Sequence, residues 1–287
     1  MSSYWSTISL LSAVALAAAG VASAAQATRE EGGETTRQLW DSALLARRAQ
    51  AQAKKPASSE VQRLAQTLVG ITVWRLRRAR PEDDGTARVS IRGPAGVEEW
   101  TPERITAGTP LAEGDHIRVA IESARDGFLY VIDRDESAGG ALGPPILIFP
   151  SLRTSNGRNA VAAGRPVEIP AWNDHPSYFT LRRSRPDQVS EVITVLITPQ
   201  PLPDVSPASE PLRLDPERVA LWQKTWGARV TRLEASGTKP AYGKSERDAA
   251  LGLRALTLED PLPQTMYRVE TTERSPLLVN LSFGLGR

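Results

Sequence analysis

The chain has no cysteine among its 287 residues and only two histidines. Missing thiols exclude disulfides, thiolate catalysis, iron–sulfur clusters and cysteine-held zinc. They also exclude the lipid-modified cysteine of a bacterial lipoprotein. Neither a G-x-S-x-G elbow nor an H-E-x-x-H pair occurs, so two common hydrolase signatures are absent. Charge of one sign is also scarce. Thirty-five basic residues face 33 acidic ones, for a formal net charge of +2. That near-balance does not call for the concentrated basic stripe of a nucleic-acid binder. Past the first 24 residues no apolar run approaches the length of a membrane span.

What is present begins with an address. "ISLLSAVALAAAGVASA", residues 8–24, carries no charge and ends in Ala22-Ser23-Ala24. Small-x-small after a short apolar run is the pattern of a signal-peptidase site. Residues 1–24 are therefore read as a signal peptide, with a retained anchor or an Ala-rich leader as alternatives. Export to the periplasm or the exterior is expected, with no transmembrane span in the mature chain. Residues 25–68 follow as a polar segment and two helices. The first covers residues 39–55, with Trp40, Leu44 and Leu45 at helical spacing. The second is capped by Ser59, carries Val61, Leu64 and Leu68, and closes at Gly70.

From about Val69 the hydrophobic period changes to two. "GITVWRLR", "ARVSIRG", "VEEWTP" and "HIRVAIES" read as strands. In the last, Ile117, Val119 and Ile121 share one face, with Arg118 and Glu122 on the other. "GFLYVID" is apolar on both faces, as a central strand would be. "PILIFP", "RPVEIP", "SYFTLRR" and "SEVITVLITP" continue the series. Apolar residues make up 40 % of the chain, enough for a sizeable core. Short strands without helical crossovers predict a mainly β fold. The expected architecture is an antiparallel β-sandwich, Ig-like in general shape, with N-terminal helices and a C-terminal helical insert at 215–255.

The insert follows a proline-rich connector. Asp215 is its expected N-cap and Pro216 its first helical residue. Val219, Trp222, Trp226, Val230 and Leu233 form one stripe, read as a docking face in preference to a ligand platform. Ser245 is read as the cap of a second helix. "TMYRVE" and "PLLVNLSFGL" are strand-like and return to the sheet, so residues 69–287 are read as one domain.

Four stretches could carry chemistry. In "DRDESAGGALGP", Asp133, Asp135 and Glu136 could offer oxygen ligands to calcium. Ser137 and Ala138 stand where more acids are wanted, and Arg134 competes, so a solvated turn is the favoured reading. "GTKPAYGKS" resembles a phosphate-binding loop, but five residues precede its Gly-Lys pair, one more than that loop allows. Asp174 and His175 lie near Trp172 and Tyr178 and form the one histidine constellation to test, against the reading of a surface loop. Arg75, Arg77, Arg78 and Arg80 form one basic run; Arg182, Arg183 and Arg185 form another. They could bind a polyanion or blunt strand edges. The candidate binding residues are thus Arg75, Arg77, Arg182, Arg183, Trp172 and His175.

"LAEGDHIRVAIESARDGFLYVIDRD", then "LIFPSLRT", "GRPVEIP" and "YFTLRRSRPDQVSEVITVLITPQPL" resemble a bacterial domain-of-unknown-function family. Its pattern is G-[YF]-L-Y-V-x-D, then L-x-F-P, then an I-P pair and a closing alternating strand. The match covers residues 111–202. Related domains occur in exported proteins and beside caspase-like peptidases and protein kinases. The resemblance implies a fold and a compartment and carries no catalytic residue. The expectation is a non-enzymatic exported module, without cofactor, that binds a protein or an envelope component and no nucleic acid. A hydrolase with an atypical site and a calcium-stabilised adhesion module are the alternatives.

Overall fold

The computed structural model describes residues 65–286 apart from 94–95, 107, 228–229, 235–241, 255, 258–259 and 273, together with Trp40 and Ser42. The leader and nearly all of residues 25–64 lie outside the described residues. In chain order the strands are β1 (Ala65–Arg78), β2 (Val89–Gly93), β3 (Gly96–Ile105), β4 (His116–Ser123), β5 (Gly127–Ser137), β6 (Ile146–Phe149) and β7 (Ala160–Val161). They continue with β8 (Val167–Ile169), β9 (Phe179–Thr180), β10 (Gln188–Thr198), β11 (Leu212–Arg213), β12 (Val230–Glu234), β13 (Thr265–Thr271) and β14 (Leu277–Gly284). Helix α1 (Pro216–Trp226) precedes β12, and α2 (Lys244–Ala250) follows it.

The strands form two sheets, and every ladder between them is antiparallel. In the first sheet β1 is the spine. One of its edges pairs with β4. The other is shared, its start by β13 and its end by β3. Outer strands extend each partner: β2 on β3, β12 on β13, β8 and β9 on β4. The second sheet runs β11-β6-β5-β10-β14, with β7 also on β5. The mainly β, antiparallel expectation is met at this level.

Strand alternation builds the core. Val69, Ile71 and Val73 of β1 join Ile117, Val119 and Ile121 of β4 in one buried cluster. Leu129, Val131, Ile193, Val195 and Ile197 of the second sheet belong to the same cluster. Each sheet also covers part of its other face. Tyr130, Ile132, Leu196 and Leu278 pack beneath Val219 and Trp222 of α1. Trp74, Leu76 and Ala120 of the first sheet pack with Trp100 and Tyr242. This double burial explains why "FLYVI" is apolar on both faces.

Four local expectations are corrected. The helix read as closing at Gly70 is strand from Ala65 onward. Leu68 and Val69 are buried in different clusters, which is a period of two. Gly70 serves close packing instead: a Cβ there would come within 2.3 Å of Pro263. The helical stripe stops at Trp226, and Val230 and Leu233 pair with Val269 and Met266 of β13. α2 is capped at Gly243, whose amide is accepted by Glu246, so Ser245 lies inside the helix. Finally, Asp133, Asp135 and Glu136 belong to β5. The turn comes after them, where Gly140 donates to the Ser137 carbonyl with a φ of 78°. Cross-strand pairing with β10 carries the strand past the acids. Among the described residues no helix is long and apolar enough to cross a membrane.

Candidate functional site

Strand β4 places Arg118, Ala120 and Glu122 on the face opposite the shared core, by simple alternation. That face is not solvated: Arg118 is 0 % exposed and Glu122 7 %. The Arg118 Nη2 donates to Glu168 Oε2 of β8 at 2.6 Å, and its Nη1 donates to the Ser177 carbonyl. The guanidinium lies 3.4 Å from the Trp172 ring centroid. Tyr242 donates to Glu168 Oε1 at 2.7 Å and accepts from Trp172 Nε1 at 3.0 Å. Burial pushes the Tyr242 hydroxyl well above its ordinary range, so it stays a donor. A buried charge pair is tolerable when its remaining atoms are also bonded; Glu168 is bonded at both oxygens, whereas the Arg118 Nε is buried without a hydrogen-bond partner.

A second cluster adjoins it. Arg104 of β3 pairs with Glu246 of α2 and donates to the Leu262 carbonyl at 2.8 Å. Its guanidinium lies 4.7 Å from the Trp74 ring centroid. Burial pushes Glu122 up to about 8, opposed by Arg104 and reinforced by Glu246 and Asp260. Glu122 is therefore neutral at pH 7. A cavity of about 10 Å³ lies between Thr72, Trp74, Glu122, Glu168, Tyr242 and Glu246. It has room for about one water and none for a substrate. These groups clamp α2 and its flanking residues onto the sheet.

An open cleft lies at the end of the same sheet. It has a volume of about 410 Å³ and is bounded by Arg75, Arg77, Arg80, Trp100, Glu103 and His116. Arg77 is fully engaged. Its Nη1 and Nη2 donate to Asp83 at 2.7 and 2.6 Å, and its Nε donates to Glu103. The Arg77 hydrogen bonds hold the Asp83 carboxyl well below the usual carboxylate range. Arg75 is more loosely held, 3.5 Å from Glu103. The exposed Arg80 guanidinium has no hydrogen bond or ion pair among the described residues. The His116 ring stacks on Tyr178 at 4.1 Å and lies 5.1 Å from Trp100. Burial, with help from Arg78, pushes the His116 imidazole below its ordinary value, so it is neutral at pH 7.

The structure sorts the remaining candidates. Leu76, His116 and Thr180 stand opposite one another across β1, β4 and β9. The two arginine runs therefore end at the same edge of one sheet, about 10 Å apart at two strand spacings. Arg182 is exposed there. Arg183 is drawn away to the carbonyls of Gln188 and Gly286. His175 is exposed, and Asp174 does not hold it. The Asp174 carboxylate accepts from the amides of Ala171 and Ser155 at 2.7 and 3.0 Å. Trp172 belongs to the buried Arg118 network.

The acids of β5 do not simply face water. Asp135 pairs with Arg185 at 2.8 Å, and Glu136 accepts from the Ser190 hydroxyl at 2.5 Å. Asp133 is half-buried overall, but its Oδ1 is sealed and without a donor, as is Glu191 Oε2. Burial pushes Asp133 up to about 6 and Glu191 up to about 8. Both carboxyls are thus held above the ordinary carboxylate range, Glu191 also by the neighbouring charge of Asp133. Among the described residues no group of three or more histidines and acids could hold a metal ion.

Arg118, Glu168, Glu122, Arg104, Tyr242, Trp100 and His116 were not among the sequence-based candidates. For Arg118, Glu122 and Glu168 the only local signal was charge inside apolar strands, as in "HIRVAIES" and "RPVEIP", which ordinarily marks a solvated face. A scan against protein-family models finds no match, and searches of curated proteins and of solved structures find no similar protein.

Proposed function

We propose that the chain is a non-enzymatic, exported binding module with an Ig-like sandwich shape, and that it receives a protein or envelope component at the arginine-edged cleft. The observation that carries this reading is an open cavity of about 410 Å³ beside a guanidinium, Arg80, with no partner among the described residues. Small-ligand sites ordinarily occupy about 300–1,000 Å³ and hold a few polar groups among apolar walls. Export is supported by the uncharged run at residues 8–24 ending in Ala22-Ser23-Ala24. Membership of the exported domain family that residues 111–202 resemble is part of the same proposal.

The two other readings draw less support. A hydrolase could use Glu122 as a protonated acid, but the space beside it is about 10 Å³. A calcium-stabilised module could use Asp133, but among the described residues no group of three or more histidines and acids could hold a metal ion. The test is capture from a bacterial envelope extract on the immobilised chain, run beside an Arg80→Ala control. Envelope material is expected on the native chain, reduced on the control and released by salt. Equal retention on both, together with hydrolase turnover that is lost in His175→Ala, would reverse the ranking.

A further inference from the structure

We infer that α2 is a latch on the first sheet whose opening releases a proton. Arg104 holds the helix shut through Glu246 while Glu122 keeps its proton. When Glu122 gives that proton to solvent, it competes for Arg104 and the helix lifts. The parts of the latch are in contact. Tyr242 and Glu246 close a small cavity against Thr72, Trp74, Ala120 and Glu122 of the sheet. The Tyr242 ring meets Trp74 edge-on, with centroids 5.0 Å apart, and Ala249 of α2 is buried.

The charges around this cavity do not pair one to one. Glu168 of β8 has Arg118 and the Tyr242 hydroxyl. Asp260, beyond the helix, has Arg254 at 2.8 Å. On α2 itself the exposed Lys244 pairs with Asp248. Arg247 donates to the Arg88 carbonyl at 3.5 Å and lies 5.9 Å from the Tyr242 ring centroid. Arg104 of β3 then serves two carboxyls, Glu246 on the helix and Glu122 on the sheet.

The present bonds of Arg104 favour the helix. Its Nη2 pairs with Glu246, whose other oxygen accepts from the Gly243 amide at 3.0 Å. Its Nη1 donates to the Leu262 carbonyl at 2.8 Å. The Arg104 Nε is buried without an acceptor. Glu122 is buried too and receives no hydrogen bond among the described residues. An unused donor and an unused acceptor are thus in place for the alternative pairing. Two buried carboxyls beside one cation resist being charged together. Burial raises both, and Arg104 opposes the rise in each. With Glu122 neutral the cation belongs to Glu246. With Glu122 charged the cation is shared, the two carboxylates repel, and α2 loses its hold.

The test is amide hydrogen exchange of the full chain from about pH 5 to about pH 9, corrected for its intrinsic pH dependence. It is read on α2 (Lys244–Ala250) and, for comparison, on β10 (Gln188–Thr198). The closed helix keeps a proton that the open one has given up. Protection of α2 is therefore greatest at low pH, is lost as pH rises to about 8 and levels off above it. A total fall of about tenfold or more is expected, at most about tenfold per pH unit for one proton. Throughout, α2 should be less protected than β10, as a local opening requires. Glu122→Gln, which cannot ionise, should keep α2 protected at every pH. Glu246→Gln keeps the shape of the side chain and should leave α2 weakly protected already at about pH 5. An equal decline in the native chain and Glu122→Gln overturns the inference. So does native protection in Glu246→Gln, or α2 exchanging only as fast as β10.

Discussion

Glu122 shows how a single residue sets a global property. On β4 it is buried against Glu246 and Asp260, and its carboxyl is pushed from 4.5 to about 8. Glu191 on β10 is pushed from 4.5 to about 8 by burial and by Asp133. Between those limits the folded chain keeps protons that the unfolded chain has released. Stability is therefore greatest below pH 4.5 as far as these groups are concerned, and falls as pH rises to 8. Each group can supply a slope of at most about 1.4 kcal/mol per pH unit. Asp83, held low by Arg77, acts with the opposite sign and only at acid pH. We expect the melting temperature to fall from pH 5 to pH 8, and Glu122→Gln to flatten that decline. A decline that is unchanged in Glu122→Gln would show that Glu122 is charged in the fold.

At the scale of elements, α1 is the best-specified segment. Asp215 accepts from the Glu217 amide at 3.0 Å, Pro216 occupies the first turn, and Val219 and Trp222 are buried under the second sheet. Replacing such a cap by alanine ordinarily costs about 1 kcal/mol. Asp215→Ala should lower the urea midpoint accordingly, with an unchanged slope; no shift would mean that the cap is dispensable. This start was legible because cap, proline and stripe are all local. The end of the same helix was not. Val230 and Leu233 keep a helical spacing with Trp226, yet they are strand because β13 offers Val269 and Met266 as partners. Residues 65–70 fail in the same way, since β1 finds Thr265–Thr271 of β13 beside it. In both places a distant ladder outbid a local preference.

Over the whole molecule, the last strand closes the core. β14 pairs with eight consecutive residues of β10 and buries Leu277, Val279, Leu281 and Phe283 in the shared cluster. It also ties the two sheets together at one end, where Leu111 donates to the Gly284 carbonyl and accepts from the Gly286 amide. A chain ending before Leu277 should lose cooperative thermal unfolding and show weak amide protection throughout. A sharp transition in that truncated chain would mean that the core closes without β14.

The amino-acid order alone determined what depends on near neighbours: strands of period two, the helix start at Asp215, and the exclusion of every thiol chemistry. Tertiary structure decided which charges meet. Arg118 reaches Glu168 fifty residues away, and Tyr242 reaches the same carboxylate from 74 residues away. Period and capping are written in the rotation of a few bonds. Register between distant strands is chosen by burying a whole sheet at once, so the cleft and the polar network exist only after the chain has closed on itself.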